Sequence, residues 1–181
     1  VYKGKKYTYK ELDEISDRLG KYIVSLGIGR EDVVSILIPR CEYMAIAPMG
    51  VIKAGAAYQP LDSTYPKDRL MYMLEDSSAK LLIADRELLS LVDGYKGPVL
   101  FTDEILSLDD TGAELGKPDV HDLFILLYTS GSTGVPKGCM LEYGNITAFC
   151  HWYRKYYGID SDSKIAAYAS FGFDACMMDI Y

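Results

Sequence analysis

One segment constrains this chain more than any other. Asp122–Thr129 (DLFILLYT) is apolar at nearly every position and of strand length, and a loop of glycine, serine and threonine follows at once. A strand without polar alternation has to be covered on both faces, which is the habit of parallel sheets. Val33–Ile38 has the same character, and shorter runs recur at Ala56–Leu61, Lys80–Ala84 and Pro98–Phe101. Helical spacing lies between them. Thr8 and Glu11 have the spacing of a capping box, and Leu12, Ile15, Leu19, Ile23 and Leu26 follow at helical intervals up to Gly27. Glu42–Ala54 reads as a helix with a kink at Pro48, and Pro66 suits the start of another whose buried face is Leu70, Met73 and Leu74. Arg86–Val92 reads as a short helix, Asn145–Tyr157 as a longer one, Lys164–Ser170 as a strand, and a last helix begins near Asp174. The expected fold class is α/β, a parallel sheet with a mixed edge flanked by helices.

Composition narrows the function. The formal charge is −7, from 19 basic and 26 acidic residues, which argues against nucleic acid as a partner. No stretch approaches the ~20 apolar residues of a membrane helix. The four cysteines (Cys41, Cys139, Cys150, Cys176) form no C-x-x-C pair, and the two histidines have neither triad nor metal spacing. A reduced, cytoplasmic setting with no protein metal site is expected. Met177, Met178, Ile180 and Tyr181 are followed by no stop signal, so the chain reads as cut inside a helix and as part of something longer.

The loop after the apolar strand carries the chemistry. Tyr128–Gly138 (YTSGSTGVPKG) combines three glycines with the hydroxyls of Thr129, Ser130, Ser132 and Thr133 and the cation of Lys137. Glycine lets backbone approach a ligand closely, and successive N–H groups in such a loop make an anion nest. That suits a polyphosphate, although no Gly-Lys-Ser/Thr closes the loop in the Walker manner.

YTSGSTGVPKG resembles the signature phosphate loop of the adenylate-forming superfamily. Three other segments agree in order: YTYKEL (Tyr7–Leu12), VIKAGAAYQPLDSTYPKDRL (Val51–Leu70) and FGFDACMMDIY (Phe171–Tyr181). The second is similar to the form found in nonribosomal peptide synthetases. Tyr143 stands where the family often has His, and Gln59 where it has an apolar residue. The resemblance implies the N-terminal portion of the large domain of an adenylation domain, spanning residues 1–181. It further implies that the catalytic lysine and the ribose-binding aspartate lie beyond Tyr181.

By the same resemblance, Thr129, Ser130, Gly131, Ser132, Thr133, Gly134 and Lys137 hold the phosphates of ATP. Thr129 and Ser130 read otherwise as strand-end caps, and Lys137 as a solvated lysine. Asp174 would pair with the ammonium of an amino acid, or else serve as a helix N-cap. Ala175 and Met178 would face the same pocket, with core packing the plainer reading of Met178. Cys176 reads as a buried structural thiol. The run Trp152–Tyr157 reads as one buried and one solvated helix face. The implied enzyme takes ATP, Mg²⁺ and an amino acid, then loads a phosphopantetheine thiol on a carrier protein. A D-alanine–carrier ligase, an acyl- or aryl-CoA ligase and a noncatalytic nucleotide-binding module are the alternatives.

Overall fold

The computed structural model describes residues 1–130 and 134–181. Helix α1 (Tyr9–Ser25) opens on the expected capping box: the Glu11 amide donates to the Thr8 hydroxyl, and the Thr8 amide to the Glu11 carboxylate. It buries Ile15, Leu19 and Ile23 and ends before Gly27, whose φ of +78° is left-handed. Helix α2 (Tyr43–Lys53) contains Pro48 and crosses α1 closely. A Cβ on Gly50 would lie only 2.4 Å from a Leu19 methyl, so the crossing requires glycine there.

Six strands form one sheet in the order β4-β3-β1-β2-β5-β6: β1 Val33–Leu37, β2 Ala57–Leu61, β3 Leu81–Ala84, β4 Val99–Phe101, β5 Leu123–Ser130 and β6 Pro136–Glu142. The first five run parallel and β6 is antiparallel to β5, as a mixed edge requires. Strand alternation sorts the core into two layers. Val34, Ile36, Tyr58, Ile83 and Ile125 pack toward α1 and α2. Val33, Leu37, Leu61, Leu82 and Leu126 pack toward helix α3 (Lys67–Asp76). The expected Arg86–Val92 element is a 3-10 helix, and a short α4 (Thr102–Ile105), which the pattern does not announce, follows β4.

Gln59 matters more than its substitution for an apolar residue implies. It is fully buried beneath α3. Its carboxamide oxygen accepts from Ser35 Oγ at 2.5 Å and Ser77 Oγ at 2.9 Å, while its NH₂ donates to the Met73 carbonyl at 3.0 Å. Every polar atom is paired, which is the condition for a polar group in a core.

Two expectations fail beyond β6. Lys164–Ser170 forms no strand: its backbone groups go to charged side chains instead of a neighbouring ladder. Helix α5 (Tyr143–Tyr157) lacks the expected buried face in its second half. Ile146 is buried, but Trp152, Tyr156 and Tyr157 are 52%, 68% and 61% exposed, with the Trp152 and Tyr156 rings stacked at 5.2 Å.

Candidate functional site

Parallel order brings the carboxyl ends of β1, β2 and β5 to one edge of the sheet, where ligands of open α/β sheets gather. The start of β5 is fixed from below. Arg30 pairs at 2.5 Å with the buried carboxylate of Asp122, and the Leu123 amide donates to Glu31 at 2.8 Å. Tyr58 of β2 lies opposite Ile125 of β5.

Thr129 and Ser130 end β5 as exposed residues, paired across the hairpin with Lys137 and Pro136. Among the described residues neither hydroxyl caps a backbone group and Lys137 enters no ion pair. Gly134 is left-handed at φ +82°, with nothing within 4 Å of where a Cβ would stand. Gly131, Ser132 and Thr133 lie outside the described residues.

Asp174, Ala175 and Met178 come together. They line one wall of a cavity of about 510 Å³, faced by Leu141 of β6 and by Ile146 and Phe149 of α5. Its size suits a small ligand. Asp174 is the only charged residue among the described residues that line it, and its carboxylate is exposed. It begins a 3-10 turn (Asp174–Cys176) leading into α6 (Met177–Ile180), but Phe173 holds the N-cap position and no side-chain cap bond forms. The N-cap reading of Asp174 is thereby corrected. Four β-strand steps separate Ile125, opposite the cavity-lining Leu141, from Thr129, about 13 Å along the strand.

An aromatic cluster centred on Phe124 packs in the core. Phe124 meets Tyr58, Tyr143 and Tyr181 edge-on at 5.8, 4.9 and 5.3 Å, and the Tyr58 hydroxyl points at Met177 Sδ, 3.3 Å away. Burial raises the Tyr58 and Tyr143 phenols well above their ordinary range. The Tyr143 hydroxyl donates to the Ile52 carbonyl, so the residue that stands for a family histidine joins α5 to α2 and stays off the cavity wall. Cys176 is buried, its thiol pushed up to about 12 by burial and the nearby Asp179 and Asp174 carboxylates. Its burial agrees with the structural thiol expected.

Sequence reasoning misses Arg40, Asp62 and Asp179. The Arg40 guanidinium, just past β1, donates to the carbonyls of Ala167, Tyr168 and Ala169. The Asp179 carboxylate accepts the Tyr168 and Ala169 amides, both at 2.8 Å. Asp62, just past β2, accepts from the Ser170 hydroxyl and from the amide and hydroxyl of Thr64. Burial would raise that carboxyl, but these donors together with Arg69 outweigh it and hold it below the usual range. Only the Arg and Asp side chains in the sequence, with no spacing between them, hint at this.

The whole chain, residues 1–181, matches the family model described as AMP-binding enzyme. It is 37% identical over 188 residues to surfactin synthase subunit 2 of Bacillus subtilis (strain 168), covering 100% of this chain and 5% of that protein. It is 34% identical over 181 residues to gramicidin S synthase 2 of Brevibacillus brevis, covering 100% of this chain and 4% of that one. The chain therefore spans about one-twentieth of the length of these relatives. Among solved structures, the nonribosomal peptide synthetase FmoA3 bound to α-methyl-L-serine-AMP superposes with a TM-score of 0.90 at 23% identity, over 99% of this chain and 20% of that one. VinN in complex with 3-methylaspartate gives 0.88 at 22% identity, over 98% of this chain and 52% of that one. At such identity these two likenesses speak for the fold.

Proposed function

Because this chain belongs to the AMP-binding enzyme family, we propose that it is the N-terminal part of the large domain of an amino-acid-activating adenylation enzyme. The carrying observation is the convergence of Asp174, Ala175 and Met178 on one largely apolar cavity whose lining holds a single carboxylate. An α-ammonium entering there loses part of its hydration and needs an anion in return. The relatives named above are a surfactin synthase subunit and a gramicidin S synthase, and the nonribosomal peptide synthetase FmoA3 has α-methyl-L-serine-AMP bound, which supports the same chemistry here.

In this reading Thr129, Ser130, Gly134 and Lys137, with Gly131, Ser132 and Thr133, receive the phosphates of ATP at the carboxyl edge of β5. A carboxylate oxygen of the amino acid attacks the α-phosphorus, the bond to the bridging oxygen of the β-phosphate breaks, and pyrophosphate leaves. The loop amides, the hydroxyls and Lys137 stabilise the charge that accumulates. Mg²⁺ supplies further charge neutralisation on the phosphates. A phosphopantetheine thiol on a carrier protein then attacks the acyl carbon. The thioester forms, AMP departs, and the thiol proton passes to solvent.

All four cysteines are free, and no helix of the described residues is long and apolar enough to cross a membrane. We place the enzyme in the reduced cytoplasm. The test is amino-acid-dependent exchange of pyrophosphate into ATP by the enzyme that contains this chain, across the common amino acids. Exchange with at least one of them is expected. Activity only with fatty or aryl acids would replace the reading with that of an acyl-CoA ligase.

A further inference from the structure

The wall of the Asp174 cavity is delivered by a segment that has no regular structure of its own. Residues 164–170 pair with no strand, yet they lead directly into Phe171, which is buried, and on to Asp174. Two side chains from different parts of the chain hold this strap. Arg40 takes the carbonyls of Ala167, Tyr168 and Ala169, and Asp179 takes the amides of Tyr168 and Ala169.

In a trans peptide the C=O and N–H point in opposite directions. The peptide between Ala167 and Tyr168 therefore has its oxygen on Arg40 and its hydrogen on Asp179, and so does the next peptide. Each dipole, about 3.5 D, is aligned between a cation and an anion. Reversing or sliding either peptide would lose charge-assisted bonds at both ends, the stronger kind of hydrogen bond. A third contact sets the exit angle: Ser170 donates to Asp62, and a Cβ on Gly172 would come within 3.2 Å of the Asp62 Cβ and 3.4 Å of the Tyr65 hydroxyl. The strap lies on the β2–α3 turn. Arg40 and Asp62 also line a second cavity of about 230 Å³ at the same edge, with Ile38, Thr64 and Phe171.

Resting on the reading of the Asp174 cavity as the amino-acid site, we propose that Arg40 is a positioning residue for that site, clamping residues 167–169 against Asp179 and so fixing where the Phe173–Met178 wall stands. Arg40 touches no substrate. It acts through the strap, and its planar fork fits three neighbouring carbonyls in a way that the single ammonium of lysine does not.

The experiment compares Arg40→Ala and Arg40→Lys with the unsubstituted enzyme that contains this chain. Arg40→Ala is expected to raise the amino-acid KM in pyrophosphate exchange about ten-fold or more, with the ATP KM held within about two-fold, because wall placement is lost while the phosphate loop is untouched. Arg40→Lys recovers part of that loss. Hydrogen exchange read over the same variants should show Tyr168 and Ala169 losing protection in Arg40→Ala, although Asp179, not Arg40, holds their amides. An unchanged amino-acid KM, or equal rises in the KM for amino acid and for ATP, overturns the proposal. If the unsubstituted enzyme shows no amino-acid-dependent exchange, the functional reading fails on its own. The clamp is then decided by hydrogen exchange alone: unchanged protection at Tyr168 and Ala169 overturns it, and lost protection upholds it.

Discussion

The sheet with α1–α3 and the stretch 158–181 are held together by different means. In the first, β1, β2 and β3 are buried throughout and their backbone groups satisfy one another in ladders. In the second, no ladder exists, and the backbone between Ala167 and Ala169 is satisfied by Arg40 and Asp179. Ladders are repetitive and tolerate local change. A clamp made of single side chains sets one position and is lost with one residue. The scaffold is built the first way and the wall of the candidate amino-acid site the second, so scaffold substitutions should register in stability and wall substitutions in substrate use.

The largest expected effect is in the scaffold. Ile36 is fully buried in the middle of β1. Ile36→Ala should cost about 3–4 kcal/mol, from lost transfer energy plus an uncollapsed cavity, measured by urea unfolding. A cost under ~1 kcal/mol would mean that the sheet is not the rigid half of the comparison.

Next comes the buried polar knot. Gln59→Ala leaves Ser35 Oγ without its partner and removes one of the two donors to the Met73 carbonyl, which keeps the Ser77 amide, and should cost about 2 kcal/mol. Adding Ser35→Ala should give a total smaller than the sum of the two single losses, because both remove the same bond.

The smallest effect concerns thiol chemistry. Cys139 is exposed on β6, whereas Cys176 is buried with its thiol raised to about 12. At pH 8, iodoacetamide should modify Cys139 in the folded protein and reach Cys176 only on unfolding, read by mass spectrometry of the peptides. Rapid labelling of Cys176 would show that the stretch 158–181 opens on its own.

Much of the scaffold is legible in the sequence, because its signals are local. Thr8 and Glu11 announce α1, the unbroken apolarity of Leu123–Leu127 announces β5, and Arg86–Val92 keeps its bounds as a 3-10 helix. The site is legible only in part. Asp174, Ala175 and Met178 are found by resemblance, and no periodicity would have grouped them with Leu141 and Phe149. Lys164–Ser170 misleads because a short, largely apolar run there looks like a strand, while the partners that replace the ladder are Arg40, 127 to 129 residues away, and Asp179. Gln59 misleads in the other direction. Polar atoms in a core are read as an irregularity until Ser35, Ser77 and Met73 are seen around them. Trp152, Tyr156 and Tyr157 fail for a third reason: aromatic content predicts burial, and nothing among the described residues covers that face of α5.

The claim that the Asp174 cavity receives an amino acid is tested most directly by Asp174→Ala in the enzyme that contains this chain. Its carboxylate makes no cap bond, so the melting temperature should stay close to that of the unsubstituted enzyme. Amino-acid-dependent pyrophosphate exchange should fall about 10²-fold in kcat/KM, near 3 kcal/mol of lost ammonium pairing, with ATP affinity little changed. Normal amino-acid kinetics in the folded Asp174→Ala enzyme would contradict the assignment.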